Sequence, residues 1–214
     1  MKEFQINTFS IIGYDPKTKG LGIAVASKWL AVGAIVPYVK AGVWAIATQA
    51  NTNISFWPKW LELLQSGYTS QEVLDKLLLN DFNPESRQLA IMDISWNWAT
   101  YTGEKCTQWA WWIVSKNCVV QWNMLTWEST IIAMKEAFEN SNWSLAQRLY
   151  NALLVWDSKW GDKRGKQSAS LLVVNSSNIE NEVNGNIIDL RIDDSINPIV
   201  ELWKLLEKHI DLYK

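Results

Sequence analysis

The chain has 214 residues, 48% of them hydrophobic, enough to bury a sizeable core, and it reads as one domain over residues 1–214. Its formal net charge is −2 and its basic residues are scattered. Nothing resembles the basic stripe that a phosphate backbone selects, so nucleic acid is excluded as an expected partner.

The opening MKEFQINTFS lacks a long apolar run, and no stretch of about 18 apolar residues follows it. Neither export nor membrane spanning is expected, which leaves the cytoplasm as the default location. In chain order, strands are expected over 7–13, 21–27, 34–39 and 43–49, with a polar turn at 14–20; β-branched residues and short turns favour antiparallel pairing. A helix then starts near Pro58, which suits a helix N-terminus, and a second starts at Thr69-Ser70-Gln71-Glu72, which fits a capping box. Residues 87–93 and 99–102 read as strands of a hairpin joined by Ser95-Trp96-Asn97-Trp98. Helices over 128–140 and 144–155 carry apolar residues at helical spacing, among them Leu145, Leu149, Ala152 and Leu153. Strands at 167–174 and 187–192 and a helix from about Pro198 follow, with 175–185 as a polar loop. Strands, a helix pair, strands, a helix pair and strands again predict an α+β fold, a four-layer αββα sandwich of two antiparallel sheets flanked by helices.

Two cysteines, Cys106 and Cys118, are too few and too unaccompanied for a disulfide framework or a metal site and read as buried thiols. The one histidine, His209, sits on the C-terminal amphipathic helix with Ile199, Leu202, Leu206 and Ile210. A Ser-His-Asp or Cys-His mechanism would have to use that residue as its base. No metal and no organic cofactor is expected.

Fifteen tryptophans against ten glycines invert the usual order, in which glycine makes up about 7% of residues. Several tryptophans stand where chain geometry asks for glycine. The hairpin turn at 95–98 needs positive φ, a role that Asn-Gly fills without steric cost. Trp160 precedes Gly161 in a polar loop, VWDSKWGDKRGKQ. Such positions suggest a gene whose UGA codons are read as glycine, translated here as tryptophan. Trp44, Trp57, Trp60, Trp96, Trp98, Trp111, Trp122, Trp127, Trp143, Trp156 and Trp160 would then be glycines, Trp29 and Trp109 native tryptophans, and Trp112 and Trp203 undecided. The competing reading is a protein truly rich in tryptophan, such as a carbohydrate-binding surface, which predicts indoles aligned on one exposed face.

The runs TFSII (8–12), GIAVASKWLAVGAIVP (22–37), AGVWAIATQ (41–49), TGEKC (102–106) and WGDKRGKQSA (160–169) resemble the bacterial family called domain of unknown function 1028, over about residues 8–212. That family is grouped with the N-terminal-nucleophile (Ntn) hydrolases, so the resemblance implies the αββα fold. Its pattern has glycine at Trp44, Trp57, Trp60, Trp122, Trp156 and Trp160.

The fold relatives imply a Thr, Ser or Cys at a mature N-terminus attacking an amide carbonyl, its own α-amine taking the proton; no histidine is needed. Cleavage of Asn7–Thr8 would expose Thr8 as nucleophile. Lys40, 32 positions later, has a spacing similar to that of proteasome-type relatives, and a nearby ammonium would keep the amine neutral. Thr8 as a plain strand residue and Lys40 as a solvated strand end are the plainer alternative, and Ser10 and Ser27 are weaker nucleophile candidates.

For substrate binding, Arg164 and Asp162 in the glycine-rich loop suit a carboxylate or phosphate, although the loop is not a P-loop. Gln49, Asn51, Gln121 and Asn123 are amides near strand ends that could donate to an oxyanion or a substrate. The acidic pairs Glu136/Glu139 and Asp193/Asp194 read as solvated. The expected function is a hydrolase of a small amide or peptide-like substrate, the rival a non-catalytic Ntn-like binding or assembly module. The oligomeric state stays open, a homo-oligomer included.

Overall fold

The computed structural model describes residues 8–42, 44–93, 95, 97–106, 110–123, 129–158, 165–175 and 188–212. Two antiparallel sheets are flanked by helices. The six-stranded sheet comprises β1 (Thr8–Asp15), β2 (Gly20–Ser27), β7 (Trp111–Val114), β8 (Cys118–Trp122), β9 (Ser168–Asn175) and β10 (Ile188–Ile192), in the order β10-β9-β2-β1-β8-β7. The four-stranded sheet runs β3-β4-β5-β6, with β3 at Pro37–Lys40, β4 at Trp44–Ala50, β5 at Arg87–Asp93 and β6 at Trp98–Thr102. Helices α1 (Phe56–Gln65) and α2 (Ser70–Leu79) follow β4, α3 (Ser129–Glu139) and α4 (Leu145–Ser158) follow β8, and α5 (Pro198–Leu212) follows β10.

Three apolar layers result. Phe9, Ile11, Val120 and Leu171 meet Phe138, Leu149, Leu153 and Leu202 between the six-stranded sheet and α3, α4 and α5. Ile12, Ile23, Val25, Ala45, Ala47, Ala90 and Met92 fill the space between the sheets. Ile46, Leu89 and Ile91 pack on Val73, Leu74 and Phe56 beneath α1 and α2. The expected sandwich of sheets and helices is therefore present, and no helix among the described residues is long and apolar enough to cross a membrane.

The capping box is present at Thr69, whose side chain accepts from the Glu72 N–H while the Glu72 carboxylate accepts from the Thr69 N–H. Strands β7 and β8 were not expected from the sequence. The hairpin turn departs in its chemistry. The Asp93 carboxylate accepts from the N–H groups of Ser95 at 2.8 Å and Asn97 at 3.0 Å, and from the Ser70 hydroxyl at 3.0 Å, so a side chain closes the turn. Among the described residues those of positive φ are Lys19, Ala31 and Ala50 besides glycines, and Trp98 is not one of them. Trp96 lies outside the described residues.

Asp81 and Arg87 clamp the end of β4 against β5. The guanidinium meets both carboxylate oxygens, Nε to Oδ2 at 2.7 Å and Nη2 to Oδ1 at 2.9 Å, and its Nη1 donates to Asn51 O at 2.6 Å. Burial pushes the Asp81 carboxyl up, but Arg87 and the Asn83 N–H outweigh it and hold the group below its ordinary 3.8. A depressed folded pKa stabilises the fold above the unfolded value, and the gain disappears as pH falls through the lowered one. Asp81→Asn is expected to cost about 3 kcal/mol at pH 7, a penalty that shrinks toward zero in strong acid; urea unfolding at both pH values checks it.

Candidate functional site

Strand alternation decides which side chains gather at one end of the inter-sheet layer. On β1, Phe9 and Ile11 face the helices while Ile12 and Tyr14 face the other sheet, so Thr8 and Ser10 point inward between the sheets. The same parity turns Ser27 inward beside Ile23 and Val25, Gln49 beside Ala45 and Ala47, Gln88 beside Ala90 and Met92, and Gln121 beside Val119. Alanines at 45, 47 and 90 leave room for these longer polar side chains. Thr8, Ser10, Gln49 and Gln88 are 0% exposed, Gln121 1% and Asn123 3%.

Buried amides must find partners, and the partners here determine each amide's orientation. Gln88 Nε2 donates to two main-chain carbonyls, Trp122 O at 2.8 Å and Trp111 O at 3.1 Å, so Gln88 offers Oε1 to its neighbours. That oxygen accepts from Gln49 Nε2 at 2.7 Å and Asn123 Nδ2 at 3.4 Å. Gln49 Nε2 also donates to Thr8 O at 3.3 Å, which turns Gln49 Oε1 toward the Ser10 hydroxyl that donates to it at 2.8 Å. Ser10 Oγ accepts in turn from Gln121 Nε2 at 3.1 Å, and Gln121 Nε2 donates to Ala47 O at 2.9 Å. The hydroxyl hydrogen of Ser10 is thus committed, and Gln121 Oε1 is left without a partner among the described residues.

Thr8 is held on all sides. Its N–H donates to Asn123 Oδ1 at 3.0 Å, its carbonyl accepts from the Asn123 N–H at 3.2 Å, and its Oγ1 lies 3.3 Å from Ser27 Oγ. Register extends the hydroxyl row, Thr8 standing opposite Ser27 and Ser27 opposite Ser168. Ser168 Oγ accepts from the Val32 N–H at 3.0 Å, tying down the segment after β2. Two non-glycine residues of positive φ, Ala31 (φ 52) and Ala50 (φ 65), flank this end, a conformation that costs roughly 1–2 kcal/mol per residue.

Of the residues expected to act together, Thr8, Gln49, Gln121 and Asn123 are brought into one network, with Ser10 and Ser27. Lys40 is not. It pairs with Trp44 at the opposite end of β4, five residues from Gln49, which is about 16 Å of extended strand, so the Lys40 ammonium does not stand beside Thr8. Linear spacing could not reveal this, because register sets where a strand end lies. Asn51 stays outside the network; its N–H donates to Ser86 O and its carbonyl accepts from Arg87. Asp162, Arg164 and Trp160 lie outside the described residues, as do Asn7, Trp109 and Trp127. Gln88, the centre of the network, was not singled out in the sequence, although the alternation Gln88, Ala90, Met92 was a signal that it faces inward.

The other titratable candidates stand apart. Burial, with a contribution from Glu139, pushes the Cys118 thiol up to about 12, and burial also raises half-buried Cys106, so neither is a ready thiolate. His209 lies on α5, in the outer helix layer. Glu136 is exposed and Glu139 pairs with Lys135 at 2.9 Å; Asp193 and Asp194 are exposed. Among the described residues no group of three or more His, Cys, Asp or Glu side chains could hold a metal ion.

A protein from Silicibacter pomeroyi, whose crystal structure is described with the same family as that named below, is similar to this chain. The two share 29% identity with a TM-score of 0.83, over 94% of this chain and 88% of that one. Anbu (ancestral beta-subunit) from Yersinia bercovieri aligns over 96% of both chains at 11% identity and a TM-score of 0.44. No functionally curated protein matches the sequence. Residues 8–202 match a family model, and the chain belongs to the Family of unknown function (DUF1028).

Proposed function

We propose that this chain, while residues precede Thr8, is a non-catalytic binding or assembly module with one Ntn-like αββα domain. The observation that carries the reading is Thr8 itself, 0% exposed, with its N–H, carbonyl and hydroxyl all engaged. A nucleophile needs an approach and a base, and among the described residues the side chains that meet Thr8, those of Asn123, Gln49 and Ser27, are neutral amides and a hydroxyl. Intact-mass measurement with N-terminal sequencing of the native protein tests this. A chain that keeps residues 2–7 is expected, and a chain that begins at Thr8 would overturn it.

One observation favours a second reading, an Ntn-type hydrolase of a small amide or peptide-like substrate. Asn123 Oδ1 and Ser27 Oγ converge on the nitrogen and Oγ1 of Thr8, the two atoms that such chemistry uses. In a chain starting at Thr8, that nitrogen would be an amine.

We further infer that the cell makes this protein with glycine at Trp44, Trp57, Trp60 and Trp156, its UGA codons being read as glycine, and by the same reasoning at Trp96, Trp98, Trp111, Trp122, Trp127, Trp143 and Trp160. What supports this is packing rather than φ. Among the described residues the buried indole N–H groups of Trp44, Trp57, Trp60 and Trp156 have no hydrogen-bond partner, whereas buried indoles ordinarily find one. The ring centroids of Phe9 and Trp156 are 3.7 Å apart at an interplanar angle of 49°, closer than the usual 4.5–7 Å or so.

A further inference from the structure

We infer that Asn123 is the positioning residue for the nitrogen of Thr8, and that Gln88 keeps the Asn123 amide turned the right way for it. This rests on the hydrolase reading, in which that nitrogen acts as the base.

The orientation follows from atoms that cannot be interchanged. Main-chain carbonyls of Trp111 and Trp122 occupy the Gln88 amide nitrogen, so the Gln88 oxygen faces Asn123 and draws its Nδ2. Asn123 is left to present Oδ1 to Thr8 N at 3.0 Å. The main chain of Asn123 adds a second hold, its N–H donating to Thr8 O at 3.2 Å. Residue 123 therefore grips Thr8 at both its nitrogen and its carbonyl, while Ser27 Oγ stands by Oγ1.

An amide oxygen suits an amine in particular. It takes one amine hydrogen and so orients the lone pair, yet carries no full negative charge that would keep the amine protonated. A carboxylate in its place would hold the nitrogen as ammonium and remove the base.

The test uses the full chain and a chain released from a fusion so that Thr8 comes first. The latter keeps every residue of the three apolar layers and the whole of β1. In the chain starting at Thr8, labelled with ¹⁵N-threonine, Asn123→Asp is expected to raise the pKa of the α-amine by about one unit or more. A structural role alone would lower the melting temperature without moving that titration, so an unchanged pKa in a folded Asn123→Asp sample overturns the assignment.

In the full chain, Asn123→Leu is expected to speed hydrogen exchange at the Thr8 amide about tenfold or more relative to its β1 neighbours, while Asn123→Asp, which keeps an acceptor, keeps exchange slow. Unchanged exchange in Asn123→Leu overturns the contact itself. If the native protein keeps residues 2–7, the hydrolase reading fails instead, whatever these titrations give.

Discussion

Peptides of the native protein that span positions 44, 57, 60 and 156 are expected to carry glycine, and a chain made with glycine at those four positions is expected to outlast the tryptophan chain in denaturant. Each buried indole N–H left without a partner costs about 1–3 kcal/mol, and these four residues all have one. Crowding adds to this: the Phe9 and Trp156 ring centroids lie 3.7 Å apart, and overpacking costs about 1–3 kcal/mol per site. Opposing them, glycine inside a helix costs about 1 kcal/mol, which applies at 57 and 60 in α1 and at 156 in α4. Emptying the indole sites also forfeits burial, about 3–5 kcal/mol each where a cavity stays open, so the gain for glycine rests on the layers closing over that space, on the scale of the roughly 5–15 kcal/mol that holds a domain together. Peptide mass mapping of protein from the native host, with urea unfolding of the two synthesised chains, measures both halves. Tryptophan in the native peptides, or equal stability of the two chains, would end the recoding account. The rival picture of a tryptophan-lined binding face is already disfavoured by placement. Trp111 and Trp143 are 61% and 56% exposed, whereas Trp44, Trp60 and Trp156 are at most 2% exposed and belong to two different core layers.

Those placements also indicate what sequence can and cannot tell about this chain. Local signals held where a local cause exists: the capping box at Thr69 and Glu72 starts α2 as expected, and the apolar spacing of Leu145, Leu149, Ala152 and Leu153 lies on the buried side of α4. Strands β7 and β8 escaped because the stretch 109–122 is dominated by indoles and valines, without clean alternation. The hairpin turn at 95–97 escaped in a different way. Its geometry is supplied by the Asp93 carboxylate, a residue the turn itself does not contain. Gln49, Gln121 and Asn123 were recognisable as amides near strand ends, but their meeting at Thr8 depends on contacts across 41 to 115 residues of chain. The place of Lys40 was hidden for the same reason, since strand register, invisible in a spacing, sets it opposite Trp44.

Gln88→Leu is expected to destabilise the fold by about 3–5 kcal/mol, more than most core truncations of similar size change. Leucine nearly matches the glutamine in bulk, so the loss is one of polar partners rather than of volume. Gln88 Nε2 donates to Trp122 O and Trp111 O, with Thr102 Oγ1 3.2 Å away, and Gln88 Oε1 receives Gln49 and Asn123. The carbonyls belong to the six-stranded sheet and Gln88 itself to the four-stranded one, so the same side chain joins the two halves of the sandwich at the Thr8 end. With leucine there, Gln49 retains its bond to Thr8 O, but the Asn123 amide loses the contact that orients it. Gln88→Glu keeps the acceptor oxygens and gives up the donor, so it should lose the bonds to Trp122 and Trp111 while sparing those to Gln49 and Asn123. Urea unfolding of both variants, with hydrogen exchange read at Thr8 and at β8, separates the two contributions. Exchange should quicken at both places in Gln88→Leu and at β8 chiefly in Gln88→Glu. A loss under about 1 kcal/mol for Gln88→Leu would mean that water or neighbouring groups replace the network readily, and the amide cluster would then be incidental to how the two sheets are held.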